Sequence, residues 1–225
     1  MDVEAVVAWL ERTGSTKVRD GMARYAIPAD KAFGIPVGVM RKQAKALGRD
    51  HRLAAGLWAT GWYEARMLAV LVDDPAEVTA TQMDRWARDF DSWAICDTAC
   101  FALFDRTPHA WGKVDQWAGK RPEFVKRGAF ALLASLAAHD KRSGEAPFLH
   151  GLTLVETAAD DERNFVAKGV SWALRCIGKR GPKLHAAARE VATRLAGSDD
   201  KTRRWIGKDA LRDLASPATR RRLST

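Results

Sequence analysis

Trp93 and Asp97 stand four residues apart in the stretch Asp91-Ser92-Trp93-Ala94-Ile95-Cys96-Asp97-Thr98-Ala99-Cys100. Residues at i and i+4 share one face of an α-helix, so in a helix the indole and the carboxylate project together. The pair has two readings. It is either a core tryptophan beside a helix-surface acid, or an aromatic and an acid kept for chemistry.

Further cation-bearing segments resemble one another. Glu64-Ala65-Arg66-Met67-Leu68-Ala69-Val70-Leu71 lies over Val125-Lys126-Arg127-Gly128-Ala129-Phe130-Ala131-Leu132, then over Val166-Ala167-Lys168-Gly169-Val170-Ser171-Trp172-Ala173-Leu174, and then over Ile206-Gly207-Lys208-Asp209-Ala210-Leu211-Arg212. Each places a cation before an apolar run near the start of a helix. Asp97 occupies the matching slot between the first two. The slot residues Arg66, Asp97, Arg127, Lys168 and Lys208 follow one another at steps of 31, 30, 41 and 40 residues. Such periods are those of helix-pair repeats, which stack into a solenoid with homologous positions aligned along one face.

Four cations in a row suit a phosphate backbone, which dominates nucleic-acid affinity. A carboxylate in that row repels phosphates, so Asp97 is either neutralised by Arg66 or Arg127 or kept for chemistry. Trp172 stands one turn after Lys168, either as a core residue or as an aromatic interleaved with cations, the arrangement that stacking on bases or sugars requires. Arg175 and Arg180 extend the basic surface, with Arg203, Arg204 and the run Arg220-Arg221-Arg222 beyond them.

The elements that must carry these residues read as helices throughout. Apolar residues recur at helical spacing over Val3–Glu11, Lys17–Tyr25, Val37–Leu47, Leu53–Trp58, Tyr63–Val72 and Ala76–Asp89, then over Ser92–Phe104, Ala110–Ala118 and Glu123–Ala138. Glu145–Ala158, Asp161–Lys179, Lys183–Leu195 and Lys201–Leu214 complete the set. Gly119, Pro122, Gly144, Gly178, Gly181-Pro182 and Gly197 fall between them, and no stretch keeps the alternation of a strand. The expectation is an all-α fold: helix-pair repeats stacked as a curved α-solenoid with a concave basic face. It is one domain over 1–225, with a short, poorly ordered basic tail over 216–225.

Composition narrows the partner. The chain has 225 residues, 47% of them hydrophobic, and a formal net charge of +9. That is a folded chain with a polyanionic partner, nucleic acid first and an anionic membrane surface second. Cys96, Cys100 and Cys176 form neither a disulfide framework nor a zinc-ligand pattern and read as buried thiols in a reducing compartment. The N-terminus lacks a signal-peptide pattern, and no apolar run approaches the roughly 20 residues of a membrane span. His51, His109, His139, His150 and His185 have no ligand spacing. A Gly-rich phosphate loop, GxSxG and HExxH are all missing, so nucleotide-dependent chemistry and serine hydrolysis are not expected.

Four segments in order resemble the AlkD-like DNA alkylation repair glycosylases, a family built from HEAT-like helical repeats. They are Gly21-Met22-Ala23-Arg24-Tyr25 with Phe33-Gly34-Ile35-Pro36 and Arg41-Lys42; Ser92-Trp93-Ala94-Ile95-Cys96-Asp97; Phe124-Val125-Lys126-Arg127-Gly128-Ala129-Phe130; and Asn164-Phe165-Val166-Ala167-Lys168-Gly169-Val170-Ser171-Trp172-Ala173-Leu174-Arg175. The segment Ala94-Ile95-Cys96 differs from the more polar, tryptophan-rich segment of the best-known members.

The resemblance implies a DNA N-glycosylase that excises positively charged N3- and N7-alkyl purines from duplex DNA in base excision repair, without fully flipping the base. It implies Asp97 as the acid that stabilises an oxocarbenium-like deoxyribose and guides water to it, with Trp93 and Trp172 packing around the sugar. Arg127 is implied to hold the phosphate beside the lesion, Tyr25 to contact the lesion-bearing duplex, and Lys168 and Arg66 to meet phosphates. Arg175 and Lys208 belong to the same DNA-binding set by position. The implied protein is a metal-free, cofactor-free monomer of the cytoplasm, drawn to the nucleoid by its DNA. The rival readings are a non-catalytic module binding damaged or branched DNA, and a peptide-binding solenoid.

Overall fold

The computed structural model describes residues 1–224, which form helices and connecting turns with no strand among them. The helices start where short polar side chains can satisfy the first free N–H groups. Asp2, Ser15, Asp50, Thr79 and Asp200 each accept from a backbone N–H two or three residues on. The chain divides into two compact units, one over residues 1–109 and one from Ala110 onwards.

The first unit contains α1 (Val3–Thr13), α2 (Thr16–Asp20), a 3₁₀ turn (Met22–Tyr25), α3 (Val37–Leu47), α4 (His51–Ala59), α5 (Tyr63–Val72), α6 (Ala80–Arg88), α7 (Trp93–Ala102) and a second 3₁₀ turn (Phe104–Arg106). Helix α5 is the centre, packed by α1, α3, α4 and α7. The parallel rings of Trp58 on α4 and Trp86 on α6 stack at 4.0 Å between centroids, filling the space between those helices.

The connector before α3 is tied to α5 by a buried acid. The Glu64 carboxylate accepts from the backbone N–H groups of Phe33 at 2.9 Å, Gly34 at 2.7 Å and Ile35 at 3.2 Å. Those bonds replace the water that a fully buried carboxylate loses. Gly34 has φ +81, and a Cβ there would lie 2.2 Å from the Ser15 carbonyl oxygen, so only glycine fits. Trp62 stacks on Phe33 with centroids 4.3 Å apart and holds the same connector from outside.

The second unit contains α8 (Ala110–Ala118), α9 (Glu123–His139), α10 (Ala146–Thr157), α11 (Asn164–Ile177), α12 (Pro182–Ala196), α13 (Lys201–Leu214) and α14 (Pro217–Ser224). Helices α9, α11 and α13 pack side by side, with α8 on α9, α12 on α13 and α10 on both α11 and α12. This is helix-pair stacking. Helix α9 is buried on every face from Arg127 to Ala137, as an all-round apolar helix must be.

Most helix bounds shift by a few residues from those expected, and three stretches depart further. The expected helix over Lys17–Tyr25 breaks at Gly21 into α2 and a 3₁₀ turn, which ends at Ala26 in the left-handed region (φ 52). The helix expected from Ala76 starts at Ala80, because Thr79 caps it by accepting from Gln82 N–H. The tail expected to be poorly ordered is α14, whose start is tied back to α13 by the Thr219 hydroxyl donating to the Asp213 carbonyl at 2.9 Å. Of that stretch, Thr225 lies outside the described residues. No helix among the described residues is long and apolar enough to cross a membrane.

Candidate nucleic-acid interface

In the first unit, a chain of contacts fixes the turn from which α7 springs. The Trp58 indole N–H donates to the Asp89 carboxylate at 2.8 Å, so the Trp58–Trp86 stack anchors that turn. Arg66 on α5 lies over the Trp58 ring at 5.3 Å, donates from Nη1 to the Asp89 carbonyl at 3.1 Å, and faces the Asp91 carboxylate at 3.7 Å. Its guanidinium is thus turned onto the segment that precedes Trp93. Arg66 positions the start of α7, and its ion pair is with Asp91.

Helix α7 opens at Trp93. Ala94, Ile95, Cys96, Ala99 and Cys100 form its buried back, while Trp93 and Asp97, one turn apart, are half-buried on the other side. The indole N–H of Trp93 donates to the backbone carbonyl of Tyr25 at 2.7 Å. Tyr25 ends the 3₁₀ turn, and its own side chain is 66% exposed. Tyr25, Trp93 and Asp97 are therefore brought together. Cys96 and Cys100 lie buried behind the acid as packing thiols. Burial pushes the Cys100 thiol up, and the side chain of Cys96 and the charges of Asp97 and Asp105 push it further.

In the second unit, Arg127 sits near the start of α9 and is only 6% exposed. It donates from Nη1 to the Phe165 carbonyl at 2.7 Å, which fixes the guanidinium at the N-terminal end of α11. The two helices meet at Gly169, where an added Cβ would make ordinary van der Waals contact with Arg127 Cγ and Phe130 Cβ at 3.5 Å. The same helix ends are braced by Asp161, which pairs with Lys126 at 2.9 Å and Arg163 at 2.6 Å. The Arg163 hydrogen bond, with help from Lys126, holds the Asp161 carboxyl well below the usual range against the opposing effect of burial.

Along α11, Lys168 is exposed and Trp172 is half-buried one turn later. Arg175 donates to the Ser171 carbonyl at 3.3 Å and pairs with Asp209 of α13 at 3.5 Å, so part of its charge is used within the fold. Lys208 on α13 is exposed. Neither Lys168 nor Lys208 has an ion-pair partner among the described residues.

Trp205 is a further candidate that the repeat slots do not mark. It is 44% exposed on α13, and no other tryptophan among the described residues is exposed to that degree. Its place three residues before Lys208 is legible, and resembles the cation–aromatic interleaving of Lys168 and Trp172, which are four residues apart. Trp62, four residues before Arg66, has the same spacing but is used to hold the connector.

No curated protein matches the chain. One solved structure superposes at a TM-score of 0.77 with 21% identity, over 94% of this chain and 95% of that one. It comes from a new family of proteins related to the HEAT-like repeat DNA glycosylases with affinity for branched DNA structures, and the likeness is one of fold. Two designed armadillo repeat proteins, one in complex with a peptide, align at a TM-score of 0.35 with 16% and 13% identity. They cover 79% and 83% of this chain, and 92% and 79% of their own. The model of the DNA alkylation repair enzymes matches residues 6–214. That span takes in α7 with Trp93 and Asp97, α9 with Arg127 and α11 with Lys168 and Trp172, and the chain belongs to the DNA alkylation repair enzyme family.

Proposed function

We propose that the protein is a DNA N-glycosylase that excises positively charged N3- and N7-alkyl purines from duplex DNA without fully flipping the base. The observation that carries this reading is the shared face of Trp93 and Asp97 on α7, with the indole fixed by the Tyr25 carbonyl at 2.7 Å. Membership of the alkylation repair family supports it.

An alkylated purine carries a positive charge and leaves as a neutral base, so no general acid is needed. The C1′–N bond breaks and its electron pair departs with the purine, leaving an oxocarbenium-like deoxyribose. The Asp97 carboxylate stabilises that charge and takes a proton from the water that attacks C1′. Trp93 and Trp172 present ring faces to the sugar, where a cation is favoured over solvent. Arg127, held by the Phe165 carbonyl, meets the phosphate beside the lesion, and Lys168 and Lys208 meet phosphates further along. Tyr25 contacts the duplex. Arg66 and Arg175 add positive potential while bracing the fold. The protein acts on double-stranded DNA as a cytoplasmic monomer without a cofactor.

A second reading is a non-catalytic module that binds damaged or branched DNA. It is favoured by the fold likeness to a family with affinity for branched DNA structures. Release of base from N7-methylguanine duplex DNA, measured under single turnover with wild type and Asp97→Asn, decides between them. The glycosylase reading expects release by wild type and a fall of about 10²–10³-fold in Asp97→Asn. No release by wild type at any enzyme concentration sinks it in favour of the binding module. Equal release by both proteins keeps excision and removes Asp97 from its role.

A further inference from the structure

Helix α13 exposes a stripe whose indole has no part in the glycosylase chemistry. Lys201, Trp205, Lys208 and Arg212 recur at steps of four, three and four residues, which places them on one helix face, and all four are exposed. The opposite face is core, formed by Ile206, Gly207, Ala210 and Leu214. An indole 44% exposed among three cations is an unusual surface for water, since a tryptophan gains more by burial than any other side chain here. The ion pairs along the stripe are Lys201 with Glu162 at 3.9 Å and Arg212 with Asp209 at 2.5 Å, and Lys208 has none among the described residues.

The neighbouring helix adds to the same surface. Ser171 donates from its hydroxyl to the Asp209 carboxylate at 2.7 Å, and further along Lys179 pairs with Asp213, so α11 and α13 run in parallel. One turn before the Ser171–Asp209 bond stand exposed Lys168 on α11 and Trp205 on α13. The indole is thus flanked by a cation on each helix. The Asp209 carboxylate is drawn inward by Ser171, Arg175 and Arg212, which outweigh its burial and hold its carboxyl below the usual range. Its charge is shared between Arg175 and Arg212, which leaves Lys168 and Lys208 as the cations beside Trp205 without an ion pair among the described residues.

We propose that Trp205 is a stacking platform for an unpaired base of DNA, with Lys168, Lys201 and Lys208 holding the phosphates on either side of it. A ring face surrounded by cations is the arrangement by which single-stranded nucleic acid is held without sequence preference. A paired base inside a duplex offers no free ring face. The site therefore selects DNA with a tail, gap or branch over a blunt duplex. This rests on the DNA-binding part of the proposed function and is independent of catalysis by Asp97.

The test is a fluorescence-anisotropy titration of the full chain, at fixed salt, against a blunt duplex and against the same duplex carrying a single-stranded tail. Wild type is expected to bind the tailed duplex more tightly. Trp205→Ala should lose about tenfold or more on the tailed duplex and little on the blunt one, while Trp205→Phe, which keeps a ring face, should retain most of the preference. Lys208→Gln should weaken both duplexes, the tailed one at least as much as the blunt one. Equal binding of both duplexes by wild type, or a Trp205→Ala variant that keeps the preference, overturns the platform and leaves DNA binding intact. Wild type binding neither duplex overturns the DNA-binding reading as well. A thermal melt of each variant, expected to match wild type because the indole is exposed, shows that loss of binding is not loss of fold.

Discussion

The indole N–H of Trp93 reaches across 68 residues of sequence to the backbone carbonyl of Tyr25 at 2.7 Å. That bond joins the start of α7 to the end of a 3₁₀ turn and sets the plane of the ring one turn from Asp97. It uses the carbonyl of Tyr25, so the phenol is left to meet another molecule. Trp93→Phe keeps an aromatic face but loses the bond, and a ring that drifts by an ångström costs up to about 10²-fold in rate. Single-turnover release of N7-methylguanine should therefore fall about tenfold or more in Trp93→Phe, with duplex affinity nearly unchanged. Tyr25→Phe keeps the carbonyl and should keep the rate. An unchanged rate in Trp93→Phe would show that the bond does not position the ring for chemistry.

The cations of the repeat differ in what they have left to offer. Lys168 and Lys208 are exposed and without ion pairs among the described residues, whereas Arg175 is engaged by Asp209. Each phosphate contact that releases a counterion contributes about one unit to the slope of log K against log salt. Lys168→Gln and Lys208→Gln should each lower that slope by about one on duplex DNA. Arg175→Gln should lower it by less and should also lower Tm, because the buried end of Asp209 loses a partner. Slopes from anisotropy titrations over a range of salt concentrations check this. An undiminished slope in both lysine variants would remove α11 and α13 from the phosphate contacts.

Helical periodicity made the helices legible, because each buries one stripe of apolar residues at regular spacing. It failed where one residue decides the outcome. Gly21 ends α2 and Ala26 takes a left-handed conformation, so the run Lys17–Tyr25 is not one helix. The i, i+4 relation of Trp93 and Asp97 was also legible. Their link to Tyr25 was not, because a backbone carbonyl has no residue identity to read. The cation slots illustrate the same limit. Arg66 and Lys168 share a sequence pattern, yet Arg66 is turned onto Asp89 and Asp91 while Lys168 is left in solvent. Which carboxylate or carbonyl a cation meets depends on a separate segment, and the spacing within its own helix is silent on that.

Gly207 holds α12 and α13 together by having no side chain. A Cβ at that position would lie 2.3 Å from the backbone N of Ala196 and 2.5 Å from the backbone O of Ala192, and neither can move without displacing α12. Gly207→Ala should cost about 1–3 kcal/mol or more by overpacking. Gly112 on α8 is the opposite case: an added Cβ meets nothing within 4 Å. Gly112→Ala should stabilise by about 0.5–1 kcal/mol through helix propensity. Thermal melts of the two variants should thus move in opposite directions. A Gly207→Ala variant as stable as wild type would mean that the contact between α12 and α13 is looser than the structure has it.

Asp140 follows α9 and closes the turn after it. Its carboxylate accepts from the Arg142 N–H at 2.8 Å, the Ser143 N–H at 3.0 Å, the Ser143 hydroxyl at 2.6 Å and the Trp111 indole at 3.2 Å. Burial alone would push this carboxyl up; the bonds from Ser143, Arg142 and Trp111 outweigh it and bring the pKa down to about 2. A group with a folded-state pKa below its unfolded one stabilises the fold above the unfolded value, and that contribution is lost as pH falls through the folded value. For Asp140 the window runs from the ordinary carboxylate value of 3.8 down to about 2. The full shift is discounted because the group is half-buried and solvent screens its charge, leaving about 1 kcal/mol at neutral pH. Asp140→Asn should therefore melt below wild type at pH 7, and the gap should close as pH falls from about 4 to about 2, where the wild-type carboxylate is itself protonated. Urea unfolding of both proteins across that range measures the gap directly. A gap that stays constant to pH 2 would show that the carboxylate's charge adds nothing beyond the turn geometry an asparagine can also make.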